Sequence, residues 1–464
     1  MSATAIRSSA AAPARTTAKR VTTAPYLLAA ALFLTYVCWS IHRHLRLQTS
    51  GYDLGIFEQA IRGYAHLDAP DATIKAPGFN LLGDHFHPIL VLLAPLYRLF
   101  PSPITLLAAQ AALIAASSIP ITRLAIRVAG PLAAVSVGLA YGMSWGLQSA
   151  INFDFHEIAF AVPLLAFGLT ALVERRWGAA AAWTLPLITV KEDLPATVAV
   201  IGLLLALRGK RRLGTAMIAV AICSGLLIVG VILPALNPAH VYAYAASTAP
   251  DGQDLLHRLF LPAAKLRTLL WLVAPTLFLA LRSPLLLAAI PTLAWRFWST
   301  NPSYWDTGYQ YSAVLMPIAF VAFLDALPTT GTGRPARAAA HAACVIALAA
   351  TMLTPLPLRG LLSPGAWATD VRARQVRLAL ARIPDNARVA ADNRLAPQLT
   401  SRCTVYFFPA YPQADTRPEW IAVSNPPDTT MAAPETMTAA LDQLPAFGYQ
   451  VTLRTTGVIL FHHK

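Results

Sequence analysis

Residues 85–100 read HFHPILVLLAPLYRLF, and whether 86–100 crosses a membrane decides the topology of everything after it. The run is apolar, but it is short, carries Pro88 and Pro95, and opens on two histidines. Around it the chain is 56% hydrophobic and only 12% charged, with a mean hydropathy of +0.53. That is the composition of a membrane protein rather than of a soluble multidomain chain. The formal charge of +14 is spread over short loops instead of one stripe, which fits topology signals and anionic headgroups, not nucleic acid.

Crossing the hydrocarbon takes roughly 20 helical residues. Segments 25–42, 103–128, 131–150, 158–173, 178–190, 194–207, 213–234, 267–281, 284–298, 311–327 and 337–355 are the candidates. Short ones suggest helices that stop at a cavity. If 86–100 lies at the outer interface without crossing, all the following basic connections fall inside: Arg123/Arg127, Arg175/Arg176, Arg208/Lys210/Arg211/Arg212, Arg282 and Arg334/Arg337. The positive-inside rule favours that choice. It places the N-terminus in the cytoplasm and the C-terminus outside. The expected architecture is an α-helical polytopic membrane protein of about eleven transmembrane helices with a small C-terminal α/β domain. Residues 1–22 are expected to be a disordered cytoplasmic tail, 23–355 the membrane domain with an outer loop at 43–102, and 356–464 the extracytoplasmic domain. In that last stretch, helical patterns at 366–383 and 436–446 alternate with strand patterns at 387–391, 404–409, 421–423 and 449–461.

Acids are scarce, 22 in 464 residues, so their clustering carries information. Four clusters, Asp53/Glu58, 83–88 (GDHFHP), 153–157 (FDFHE) and 191–193 (KED), all fall on the outer side in this topology and are expected to surround one pocket. Ionisable groups at a membrane boundary must pair or face water, which makes each a functional candidate. Asp53, beside Tyr52, is either a reactive carboxylate or the N-cap of a helix over 54–64. Asp84, His85 and His87 offer phosphate contacts, helix capping or, with Asp154, a divalent-cation site of weak spacing. In an extended FDFHE segment, Asp154 and His156 face one way, so Asp154 can orient the imidazole. Lys191 is a ligand for an anionic phosphate or the partner of Glu192, with Asp193 alongside. Tyr304 and Trp305, in an aromatic loop with Trp295, Trp298, Tyr309 and Tyr311, are either interfacial anchors or the wall of a sugar or lipid groove. Tyr242 and Tyr244 pose the same choice. The four cysteines form neither a disulfide framework nor a C-x-x-C pair.

Taken in order, YDLGIFEQ (52–59), LLGDHFHPI (81–89), FDFHE and KED resemble a family of bacterial polytopic membrane proteins catalogued as a domain of unknown function. The stretch IPDNARVAADNRLAPQLTSR (383–402) is similar to that family's ending. More distantly, the layout is similar to GT-C glycosyltransferases, which use polyprenyl-phosphate sugar donors at the outer face of a plasma membrane. A carboxylate just after their first span matches Asp53, and a second acid matches Asp154. YDLGIFE departs from the usual single or paired acid, and GDHFHP is not generic to the superfamily.

The resemblance implies inverting sugar transfer from a polyprenyl-phosphate-linked donor to a cell-envelope glycan, lipid or protein. Asp53, or else Glu58, would be the general base, with Tyr52, Asp84, His85, His87, Asp154, His156, Glu157, Lys191, Glu192, Asp193, Tyr304 and Trp305 holding substrate. No cofactor is implied, a divalent cation at His85, His87 and Asp154 being the weaker option. The competing readings are a transporter or flippase of a lipid-linked saccharide and a non-catalytic scaffold. P-loop, dinucleotide-binding, zinc-protease and nucleophile-elbow signatures are absent from the sequence.

Overall fold

A computed structural model of the chain describes residues 14–245, 255–327, 333–410 and 417–464. Four of the described helices are long and apolar enough to cross a bilayer: Thr23–Leu45, Pro103–Ala129, Arg211–Leu236 and Arg334–Leu353. They coincide with four of the expected spans. The other expected spans fall on shorter or interrupted helices. Prolines account for several of the breaks, because a ring in the helix interior removes a donor and clashes with the preceding turn. At 267–281, for example, the helix ends at Val273, and Pro275 begins a 3-10 turn that leads into left-handed Leu277 and Phe278.

The helices used below are α1 (Ala14–Leu45), α2 (Ile56–Ala65), α3 (Pro103–Ala116), α4 (Ser118–Ala129), α5 (Pro131–Gly142), α6 (Ala161–Val173), α7 (Leu194–Leu207), α8 (Arg211–Leu227), α9 (Ile290–Trp298), α10 (Leu315–Ala326) and α11 (Arg334–Leu353). Residues 1–13 of the expected tail lie outside the described residues, and 14–22, expected to be unstructured, already belong to α1. The deciding stretch forms a 3-10 segment, Pro88–Leu93, followed by a single helical piece, Ala94–Leu99. Its twelve residues reach roughly 18 Å even at full helical rise, well short of the bilayer core. It does not have the length of a span.

Small residues set the closest helix contacts. α7 and α8 are joined through Gly209, whose φ of +86° suits glycine. A Cβ on Gly202 would lie 2.8 Å from the Gly214 carbonyl oxygen, and one on Gly214 would run into the Gly202 carbonyl. Backbone-to-backbone approach of this kind drives helix association where the hydrophobic effect cannot.

The C-terminal domain is a five-stranded mixed sheet, β1 (Arg388–Ala391), β2 (Thr404–Phe407), β3 (Trp420–Ser424), β4 (Tyr449–Arg454) and β5 (Val458–His463), in the order β2-β1-β3-β5-β4. β1 runs parallel to β2 and β3, while β5 is antiparallel to β3 and β4. Strand alternation sorts its two faces. Ala390, Tyr406, Phe408, Ile421, Val423, Ile459 and Phe461 form a small separate core with Met437 and Leu444, on and just after helix α13 (Pro434–Gln443). Val389, Ala391, Val405, Phe407, Ala422, Val458 and Leu460 point the other way, onto helix α12 (Val371–Leu380), and join the core that runs continuously through the membrane helices. The domain is packed onto the membrane part rather than tethered to it.

Substituting Gly214→Val is expected to lower the thermal unfolding midpoint of the detergent-solubilised protein by several degrees. Gly178→Val, whose Cβ would meet open space, leaves it nearly unchanged. Equal melting curves would show that α7 and α8 do not depend on this approach.

Candidate functional site

The first turn of the site begins where the chain leaves α1. Ser50 is extended, and Gly51–Gly55 form a π turn that leads into α2. A helix start leaves backbone N–H groups without partners. Here three successive ones are met from distant parts of the chain. Ser50 N donates to Asp154 Oδ2 (2.7 Å), Gly51 N to the Asn393 carbonyl oxygen (2.6 Å), and Tyr52 N to Asn393 Oδ1 (3.0 Å). The expectation that Asp53 caps its own helix is not met, since no side-chain cap bond is present there. Its Oδ1 instead lies 3.2 Å from His156 Nε2, and the side chain keeps 22% of its exposure.

Asp154 is placed differently from its expected role. The FDFHE segment is not simply extended, because Asp154 adopts φ +55°. That turn aims its carboxylate at Arg43 Nη1, 2.7 Å away, and at Ser50 N. Asp154 therefore ties α1 to the turn that follows it, and Asp53 rather than Asp154 faces His156. Gln110 of α3 holds the segment's backbone by donating to the Asp154 carbonyl and accepting from His156 N at 2.9 Å.

Glu58 departs most from the expectation of a second base. It is fully buried between Tyr97 Oη (2.9 Å) and the Thr400 hydroxyl, facing the C-terminal domain. Burial pushes its carboxyl up from 4.5 to about 7, although the Thr400, Tyr97 and Arg62 groups oppose that rise. It is an internal latch.

The remaining acids form a chain of pairs. Glu157 Oε1 accepts from Lys191 Nζ at 2.8 Å, so the lysine's partner is Glu157 and not its neighbour Glu192. Glu192 accepts from His85 Nδ1 (2.6 Å) and Phe86 N (3.1 Å). Burial alone would raise Glu192, but the contact with His85 outweighs it and holds the carboxyl low. The His85 ring stacks on Tyr244 at 4.5 Å, and Tyr244 Oη donates to Asp84, which also pairs with Lys75. Asp193 accepts from Trp295 Nε1 at 2.8 Å. These pairs link the four clusters in one region, but they do not all surround one pocket as expected: the cavity beside them is lined by His85 and by Lys191, Glu192 and Asp193, and not by Asp53, Glu58 or residues 153–157.

Beside them opens a cavity of about 750 Å³. Its apolar length runs between α7, α8 and α9, against Ala196, Ala199, Ile222, Gly225, Leu226 and Ala294. Its polar end is made by His85, Lys191, Glu192, Asp193, Tyr242, Tyr244, Trp295, Tyr304 and Tyr311. A mostly apolar pocket with a few convergent polar groups is the usual form of a small-molecule or lipid site. Tyr304 lies on it as expected, whereas Trp305 does not. Trp305 is buried under Lys265, whose Nζ is 4.3 Å from the ring centroid. Arg296, fully buried, braces the aromatic wall through the Tyr304 and Tyr311 carbonyls and Ser312 Oγ.

His85, His87 and Asp154 do not converge on a metal. His85 is bound to Glu192, Asp154 to Arg43, and His87 sits edge-on to Phe57 with burial pushing its imidazole down to about 4. Among the described residues no group of three or more His, Cys, Asp or Glu is arranged to hold a metal ion. Sequence reasoning missed Arg43, Gln110, Arg296 and Asn393. Only Gln110 and Arg296, polar groups inside apolar runs, had a local signal; Arg43 and Asn393 lie in polar stretches with nothing to single them out.

The fold and the site together define a helical membrane protein with an amphipathic cavity between α7, α8 and α9. The chain belongs to the DUF2079 family of predicted membrane proteins, whose profile matches residues 43–460. It is similar in structure to ArnT from Cupriavidus metallidurans, solved bound to undecaprenyl phosphate, with a TM-score of 0.60 over 95% of this chain and 98% of that one. The two are 15% identical, so the likeness is one of fold. No curated protein matches the sequence.

The pairing of Glu58 generates a pH test. Its folded value lies above the unfolded one, so the fold favours the protonated acid. That stabilisation is complete below about pH 4.5 and is lost as pH rises through about 7. Relative to Glu58→Gln, wild type is expected to lose on the order of 3 kcal/mol between these limits. Unfolding midpoints of the two proteins from about pH 5 to about pH 8 read it; parallel curves would mean that Glu58 is ionised in the folded protein.

Proposed function

We propose that the protein is a membrane glycosyltransferase that moves a sugar from a polyprenyl-phosphate donor to an acceptor at the outer face of the membrane. The observation that carries this reading is the cavity: an apolar trough between α7, α8 and α9 that ends on Lys191 and His85. Lys191 is linked through Glu157 to the segment that bears His156, the partner of Asp53. A prenyl chain suits the trough, and at its polar end Lys191 and His85 offer donors to a phosphate beside the carboxylates of Glu192 and Asp193. The fold shared with a protein solved with undecaprenyl phosphate supports the same ligand class.

Among the carboxylates of this region, Asp53 is the base of choice. Asp84, Asp154 and Glu157 are each engaged by Lys or Arg, Glu192 by both His85 and the Phe86 amide, Asp193 by Trp295, and Glu58 is sealed in the latch. Asp53 contacts only an imidazole and retains exposure. In the transfer step the acceptor hydroxyl gives its proton to Asp53 as its oxygen bonds to the anomeric carbon. The bond from that carbon to the phosphate oxygen breaks on the opposite face, and its electron pair leaves with the polyprenyl phosphate. The sugar carries oxocarbenium character in between. Lys191 and His85 stabilise charge on the departing phosphate. Tyr304, Tyr311 and Trp295 form the wall against which the sugar and the first prenyl unit would lie.

Asp53→Asn in the full chain is expected to lower sugar release from a polyprenyl-phosphate donor by on the order of 10²–10⁴, while undecaprenyl phosphate still binds. Gly225→Trp, which fills the trough, is expected to abolish that binding. Undiminished transfer by Asp53→Asn would remove it as base. A lipid phosphate bound equally well by Gly225→Trp would move the site elsewhere.

A further inference from the structure

We infer that Asn393 of the C-terminal domain is a positioning residue for the Asp53 carboxylate, so that the domain completes the site instead of only neighbouring it. The inference rests on reading Asp53 as the base. It starts from where the domain touches the membrane part. Gln59 and Thr73 meet the Val405 carbonyl, Arg62 meets the Thr400 and Cys403 carbonyls, and Arg46 meets the backbone near residue 366. These contacts fasten the domain. None of them reaches the turn that carries Asp53.

Asn393 does. It follows β1 directly, after Asp392, whose carboxylate accepts from Ser424 N and Leu395 N and so fixes this corner of the domain. From that corner Asn393 presents two acceptors to one turn. Its carbonyl takes Gly51 N, and its Oδ1 takes both Tyr52 N and Ser50 Oγ at 3.0 Å. Its Nδ2 lies 3.3 Å from Thr430 Oγ1, and Thr430 donates in turn to Asp428 Oδ2 at 3.0 Å. The amide is thus oriented from within the domain, with its oxygen toward the turn.

The fit leaves no slack. A Cβ on Gly51 would lie 2.9 Å from Ala396 Cβ and 3.3 Å from the Asn393 carbonyl oxygen. The Tyr52 ring meets Phe407 of β2 edge-on at 4.9 Å. On the other side, Asp154 takes Ser50 N. The π turn is therefore held between an acceptor of the membrane part and an acceptor of the C-terminal domain, and Asp53 is the residue immediately after the two amides that Asn393 receives. Losing Oδ1 frees the Tyr52 amide and lets the Asp53 side chain leave His156. A displacement of about 1 Å at a catalytic group is enough to cost on the order of a hundredfold in rate.

The test uses the full chain in nanodiscs and amide hydrogen exchange over peptides covering 48–58 and 388–463. Asn393→Ala is expected to speed exchange at Tyr52 and Asp53 roughly tenfold, the loss of one hydrogen bond, with the sheet peptides unchanged. Asn393→Asp, which keeps an acceptor oxygen, restores most of the protection. Sugar release from the donor falls with Asn393→Ala in kcat and not in KM, and undecaprenyl phosphate binds as in wild type. Unchanged exchange at 48–58, or exchange rising across the whole sheet, overturns the inference, and so does a loss confined to KM. The exchange result stands whether or not Asp53 proves to be the base, so the two readings fail separately.

Discussion

Charge pairing across long sequence separations is the constraint on which this structure depends. At a membrane boundary an unpaired carboxylate or ammonium costs several kcal/mol, and removing one partner of a buried pair leaves the other uncompensated. Four acids of the site region are answered from another element: Asp154 by Arg43 of α1, Glu157 by Lys191, Glu192 by His85, and Asp53 by His156. Together these pairs bring the end of α1, the loop between α1 and α3, the segment before α6 and the segment before α7 to one place. The helices around them are short and interrupted, so helix length alone would not fix that arrangement.

The same pairing separates structural acids from a chemical one. Partnered by lysine, arginine or a sealed hydrogen-bond pair, most of the carboxylates here are spoken for. Asp53 keeps the weaker partner and the more open surroundings. The cavity lies next to this network: α7 and α8 approach through Gly202 and Gly214, and further along Gly225 and Gly230 line the trough that faces α9. Small residues thus serve both the contact and the gap.

The C-terminal sheet belongs to this arrangement. One face packs into the core of the membrane helices, and the loop after β1 meets the turn that follows α1. Glu58, Gln59 and Arg62, successive positions on one side of α2, all reach it. A helix placed directly after the Asp53 turn is therefore docked on the domain, which couples the position of the turn to the folding of the last hundred residues or so.

Composition and periodicity by themselves determined the membrane character, the positions of the four long apolar helices among the eleven expected spans, the shortness of the 86–100 segment and the two-faced strands at the end of the chain. These follow from local properties: hydropathy over a window, proline in a helix, alternation along a strand. The motifs also marked the clusters that converge, because acids are rare in such a chain and their burial needs a reason. Which partner each acid takes was decided only by tertiary structure. The left-handed turn at Asp154 exchanged the roles of Asp154 and Asp53 toward His156, Glu58 turned toward Thr400 rather than the cavity, Trp305 fell behind the aromatic wall, and Asn393 arrived from more than three hundred residues away. A hydrogen bond between residues so far apart leaves no local pattern, since either partner is an ordinary polar residue until the fold sets the other beside it.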